Sequence, residues 1–250
     1  MIQQRPSAGP ALPRALLFAG LALAGCASSP GSLAYEEGVR VLARNAGAQT
    51  SPAAIAESVN AVGPDFVLLR AAADSAWFAE LADRTGLAMS GPAIEQGLGF
   101  AYLAAIEPLG DTTIAIPVGG GEVVVLHDAL YELGEGVFLD LISFRADLTS
   151  DPHALVQAFL EYVATDVMTT APLVIGVEAA DPALADSIAV LLRPSFTPST
   201  ACGTGGETSG SGRLGGFRVF VGTPAQIRCE EVSHPAGDAN ALLARLVLRR

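Results

Sequence analysis

The sequence predicts an α+β fold: N-terminal helices, an antiparallel four-stranded meander, then an α/β C-terminal part with a disulfide-closed glycine-rich loop. Three observations predict it. Runs at helical spacing prevail up to residue 86, β-rich runs joined by short glycine connections fill 98–146, and the two types alternate after residue 151. At 250 residues, half of them apolar, the chain is long enough to bury a sizeable core.

Ser32 caps a first helix running to about Asn45, with Gly47 as its stop. Ser51-Pro52 opens a second, with serine as cap and proline in the first turn; Ile55, Val59 and Val62 form its apolar stripe and Gly63-Pro64 ends it. "DFVLLRAAA" (65–73) fits either a buried strand or a helix. Asp74 caps "SAWFAELADRT", which Gly86 stops, and Trp77 and Leu81 share its core-facing side.

The runs "LGFAYLAAIEP", "DTTIAIPV", "EVVVLHDALYEL" and "GVFLDLISFR" make the meander. Several are apolar on both faces, so helices should cover the sheet. Asp151-Pro152 opens a helix to about Thr170, with Leu155, Phe159, Tyr162 and Val163 as its stripe. "LVIGVEA" (173–179) reads as a buried strand and Asp181-Pro182 starts a helix to about Leu192. "FRVFVGTP" and "QIRCEEVSH" read as a strand pair spanning 217–233. Asp238 caps a last helix, "ANALLARLVLRR", whose Arg245, Arg249 and Arg250 suit the negative end of its dipole. No internal repeat of fixed period is present.

The amino terminus is a targeting segment. Residues 1–14 are polar with Arg5 and Arg14, and 15–25 form an apolar run of eleven, too short to span a bilayer. The run ends in Leu23-Ala24-Gly25-Cys26, which resembles the lipobox of bacterial lipoproteins. That resemblance implies a signal peptide over 1–25 and cleavage before Cys26. It implies a diacylglyceryl group on the Cys26 thiol, an acyl chain such as palmitate on the new terminus, and a membrane anchor as partner. Two or three such chains hold a domain at a bilayer essentially permanently. Ala27 follows the cysteine, where an aspartate tends to retain Gram-negative members at the inner membrane; the resemblance thus implies the outer membrane, facing the periplasm, or the cell membrane if the source is Gram-positive. Residues 26–34 then serve as a lipidated tether, and 35–250 form a single globular domain with a possible sub-boundary near 147–152.

The net charge is −12, and all 14 basic residues are arginine. Beyond residue 25 the balance is 12 Arg against 26 Asp plus Glu, or −14. A body this acidic repels phosphate backbones, so nucleic acid is not an expected partner. With Cys26 lipidated, Cys202 and Cys229 remain as an even pair in an exported chain, and a disulfide between them is the default. Such a link would close the glycine-rich stretch "CGTGGETSGSGRLGG" at its base.

Chemical motifs are scarce. His127 and Asp128 are neighbours on a strand and point to opposite faces, so they cannot easily pair. His153 lies in a helix first turn and His234 in a loop. Neither H-E-x-x-H nor paired C-x-x-C occurs, so no metal or cofactor is expected. Ser90 and Ser211 lack the G-x-S-x-G elbow, and Glu36-Glu37 and Glu230-Glu231 are sequential rather than facing. The glycine-rich stretch lacks the lysine and the following helix of a phosphate-binding loop. The strand–helix–strand order from residue 173 resembles that of small envelope assembly lipoproteins, such as activators of cell-wall synthases.

The leading expectation is a lipid-anchored envelope protein acting as a non-enzymatic interaction or assembly module, with another envelope protein as partner and no catalytic residues assigned. The alternatives are an exported envelope-associated hydrolase, whose site would gather a histidine with a serine or carboxylate, and a periplasmic small-ligand-binding lipoprotein with an apolar pocket under the meander.

Overall fold

A computed structural model describes residues 38–95, 98–119, 122–134, 136–146, 151–165, 171–179, 181–198, 217–222, 227–233, 235 and 240–248. Its elements, in chain order, are β1 (Val39–Ala46), α1 (Pro52–Val62), β2 (Phe66–Ala71), α2 (Ser75–Thr85), β3 (Ala88–Glu95), β4 (Leu98–Ala104), β5 (Gly110–Gly119), β6 (Glu122–Gly134), β7 (Val137–Ala146), α3 (Pro152–Thr165), β8 (Leu173–Ala179), α4 (Pro182–Leu192), β9 (Thr197–Pro198), β10 (Phe217–Val221), β11 (Ile227–Ser233) and β12 (Ala241–Leu248). The strands form two six-stranded sheets, β11-β12-β1-β2-β4-β3 and β5-β6-β7-β8-β10-β9. Fold class α+β is therefore correct, but the architecture is a sandwich with helices outside both sheets.

Alternation along the strands builds three apolar layers. Val39, Val41, Phe66, Leu68, Tyr102, Tyr131, Leu141 and Val174 fill the space between the sheets. Leu42, Val67 and Leu103 face the other way, against Ile55, Val59, Phe78 and Leu81 of α1 and α2. Leu126, Ile142, Phe144 and Ile175 pack on Leu155, Phe159, Ile188 and Leu192 of α3 and α4.

Cap chemistry places α1, α2 and α4. Ser51 accepts from the Ala54 amide, Asp74 from Trp77 and Asp181 from Ala183. Gly63 and Gly86 close α1 and α2 in left-handed conformation, φ 59° and 67°. Trp77 packs against the α1/α2 core and donates its indole N–H to the Thr50 carbonyl at 3.0 Å.

Several expected elements are corrected. The first predicted helix is strand β1, parallel to β2 and antiparallel to β12. The last predicted helix is strand β12, held between β11 and β1. Both run inside a sheet, and leucine, valine and alanine recur along them on both faces, so their residue types lack a strand's clean alternation even though Arg40 and Arg245 are exposed. "DFVLLRAAA" resolves to β2. The meander has three strands, β5 to β7; its supposed first run is β4, which lies in the opposite sheet between β2 and β3. Strand β3 was not foreseen, because Ser90-Gly91-Pro92 reads as a turn; the strand bulges there, shifting register between Ser90 and Ala93, with Gly91 at φ 91°. Finally, β10 and β11 are no pair: β10 joins β8 and β9, and β11 edges the other sheet.

Cys26, Cys202, the glycine-rich stretch, Ser211 and His234 lie outside the described residues; Cys229 belongs to β11. No helix among the described residues is long and apolar enough to cross a membrane.

Candidate functional site

Two parallel pairs, β1/β2 and β7/β8, direct their carboxyl ends to one end of the sandwich. In sheets with parallel strands, ligands bind outside those ends. Here the inner face of each strand closes on a polar residue. Asn45 of β1 stands beside Arg70 of β2 in register, and Arg145 of β7 beside Glu178 of β8.

Arg70 joins the two sheets. It donates to Asn45 Oδ1 at 2.8 Å within its own sheet and to Glu178 Oε1 at 2.7 Å across the sandwich. The Glu178 side chain is 6% exposed and that of Arg70 20%, so the ion pair works in a partly dry setting. The Arg70 Nε–H is buried and meets no acceptor among the described residues. Half-buried Arg145 brings a second guanidinium to the same level. Arg70, Arg145 and Glu178 thus stand together at the mouth formed by this end of the described strands.

One layer deeper lies a buried polar floor. Tyr102 stacks on His127 with ring centroids 4.6 Å apart and donates to the His127 carbonyl at 2.8 Å. Ser90 Oγ is 3.4 Å from His127 Nε2, and Asp111 Oδ1 is 3.7 Å from Nδ1. Burial pushes the His127 pKa down, against the opposing pull of Asp111, so the imidazole is neutral near pH 7. This grouping has the composition of a nucleophilic triad without its geometry. The carboxylate is out of hydrogen-bond range, because Asp111 accepts instead from the Gly91 amide at 3.0 Å, and Ser90 is completely buried.

Asp128 points outward from β6, as alternation with His127 requires, and accepts from the Tyr162 hydroxyl of α3. Beside it Asp140, almost fully buried, shares a hydrogen bond with Asp128. Burial first, then the charge of Asp128, pushes its pKa up to about 9. His153 lies at the start of α3, lining an open groove of about 470 Å³ between α3 and α4 with Val156, Gln157, Leu160 and Leu191. That groove is on the outer helices; the inner face of the meander is filled by Ala129, Tyr131, Leu139 and Leu141, which corrects the expectation of an apolar pocket there.

Hard divalent cations are held by several converging oxygen donors, carboxylates above all. The mouth does not fit one. Glu178 Oε1 and the Asn45 amide oxygen already accept from Arg70, and no group of three or more His, Cys, Asp or Glu side chains gathers among the described residues.

No family model matches the sequence, and no curated protein matches it. Solved structures do match the fold. The human Nocturnin catalytic domain, determined with a bound sulfate anion, is similar over 85% of this chain and 95% of its own, with TM-score 0.60 and 12% identity. An endonuclease/exonuclease/phosphatase family protein from Bacteroides thetaiotaomicron covers 85% of this chain and 99% of its own, at TM-score 0.57 and 9% identity. A functionally unknown conserved protein from Enterococcus faecalis covers 83% and 100%, at TM-score 0.58 and 12% identity.

The fold is thus the one shared with these structures, an endonuclease/exonuclease/phosphatase family protein among them. This overturns the expectation of a non-enzymatic interaction or assembly module and favours the hydrolase alternative. It also replaces the likeness to envelope assembly lipoproteins after residue 173, since β8, α4 and β10 are parts of the sandwich. Sequence reasoning missed Asn45, Arg70, Arg145 and Glu178. Their one signal was a lone polar or charged residue near the carboxyl end of an apolar run, as in "DFVLLR" and "LVIGVE".

Proposed function

We propose that this chain is an exported hydrolase acting on small phosphoesters at the mouth formed by Asn45, Arg70, Arg145 and Glu178. The observation that supports it is the Arg70–Glu178 bridge, placed where the parallel strands of both sheets end. Guanidinium forks match phosphoryl oxygens and keep their charge at any working pH. Arg70 and Arg145 would hold the phosphoryl group and take up the negative charge that grows in the transition state. Glu178 would accept the proton of a water whose oxygen bonds to phosphorus. The ester P–O bond breaks, and the leaving alkoxide takes a proton from solvent. No step is routed through a metal.

The acidity of the body favours small phosphoesters over nucleic-acid strands. Export, lipid anchoring at Cys26 in the outer membrane and a Cys202–Cys229 disulfide belong to the same proposal, supported by the segment preceding Cys26 and by the cysteine count. The test is a substrate panel: phenyl phosphate, bis(p-nitrophenyl) phosphate and single-stranded DNA, assayed for release of phosphate or phenol. Turnover of the small esters alone supports the reading. Turnover of the strand alone, or of nothing, overturns it.

A further inference from the structure

We infer that Arg70 takes the place of a divalent cation at the mouth, so that the site binds a phosphate-type anion without metal. The inference rests on the phosphoester reading above. One side chain contacts an oxygen donor from each sheet: Oδ1 of Asn45 at 2.8 Å and Oε1 of Glu178 at 2.7 Å. A neutral amide oxygen and a carboxylate oxygen, converging from two strands, are the donors that a hard cation takes. Here the bridging positive charge is a covalent part of the chain. A guanidinium cannot be deprotonated in a protein, so the charge is permanent.

The electrostatics point the same way. A magnesium ion entering between Asn45 and Glu178 would have to displace Arg70. It would then bring two further positive charges beside that guanidinium. An anion meets the opposite situation: the Arg70 guanidinium, with a buried Nε–H that has no acceptor among the described residues.

The test is calorimetric titration of inorganic phosphate and phenyl phosphate into the purified protein, once with excess EDTA and once with excess Mg²⁺. Agreement of the two Kd values within about twofold, with binding weakened at least tenfold in Arg70→Lys, supports the inference; a tenfold loss is about 1.4 kcal/mol. Lysine keeps the charge but loses the fork that reaches both oxygens. Tightening by more than about tenfold with Mg²⁺ overturns the inference while the phosphoester reading survives. Equal binding by wild type and Arg70→Lys also overturns it, by placing the anion elsewhere. Absence of phosphate and phenyl phosphate binding under both conditions removes the phosphoester reading and the inference together. As a second readout, Mn²⁺ added to the wild-type protein should keep the electron spin resonance spectrum of the free ion. Its loss at stoichiometric protein contradicts the surrogate role.

Discussion

Replacing Arg70 by Met would leave the Glu178 carboxylate in a site where only 6% of its side chain meets solvent. Removing one partner of a buried ion pair costs about 3–5 kcal/mol, because the other is left as an uncompensated charge. Arg70 is 20% exposed and Arg145 lies beside Glu178, so the lower end applies, about 3 kcal/mol. Glu178→Leu alone strands Arg70 with only Asn45 as acceptor, at about 2 kcal/mol. The double variant Arg70→Met/Glu178→Leu removes both charges of the bridge together. Apolar side chains of similar volume in such sites are often neutral or stabilising, so it should lie within about 1 kcal/mol of wild type. The predicted coupling, about 4 kcal/mol, is well above the threshold at which contacting residues are told from independent ones. Urea denaturation of the four proteins at neutral pH measures it. Additivity of the two single costs within about 0.5 kcal/mol would refute the claim that Arg70 and Glu178 act as one unit across the sheets.

Asp140 predicts a pH dependence. Its folded-state pKa stands above the ordinary 3.8, at about 9, so the stability it contributes is fully present below 3.8 and declines as pH rises toward 9. Asp140→Asn should therefore match wild type near pH 4 and exceed it by about 2 kcal/mol or more near pH 8, measured as urea midpoints; an equal loss at both pH values would count against a protonated Asp140. Gly91→Ala should destabilise by about 1–3 kcal/mol, since φ is 91° and a Cβ would approach His127 Nε2 to 2.9 Å and the Phe100 carbonyl to 3.0 Å; an unchanged denaturation midpoint would contradict the close packing of β3 on the floor. Ser90→Ala should keep phosphoester turnover within about threefold of wild type, because the hydroxyl is sealed beneath the mouth; a loss of a hundredfold or more would make Ser90 a nucleophile after all.

What the sequence made legible follows from how local the signals are. Caps are local, so α1, α2 and α4 could be placed to within a residue or two from Ser51, Asp74 and Asp181. Strands β1 and β12 were read as helices because leucine, valine and alanine recur along them without clean alternation, and the partner that settles their state is remote. Val39 pairs with Leu246, more than two hundred positions away in sequence. The mouth was illegible for the same reason. Asn45 was absorbed into a false helix, and Arg70 and Glu178, 108 residues apart, each looked like an isolated charge in an apolar run. Only the pairing of the sheets shows that they meet. The opposition of His127 and Asp128, a consequence of strand alternation alone, was legible and is seen in full.

The most direct test of the account is the turnover of bis(p-nitrophenyl) phosphate by the wild-type protein and by Glu178→Gln, with p-nitrophenol release followed in excess EDTA. Glutamine keeps the shape and the contact to Arg70 but cannot take a proton from water. The account predicts steady turnover by the wild type and a fall of about 100-fold or more in kcat for the variant, with phosphate still bound. Equal rates in the two proteins, or no turnover by the wild type, would contradict it.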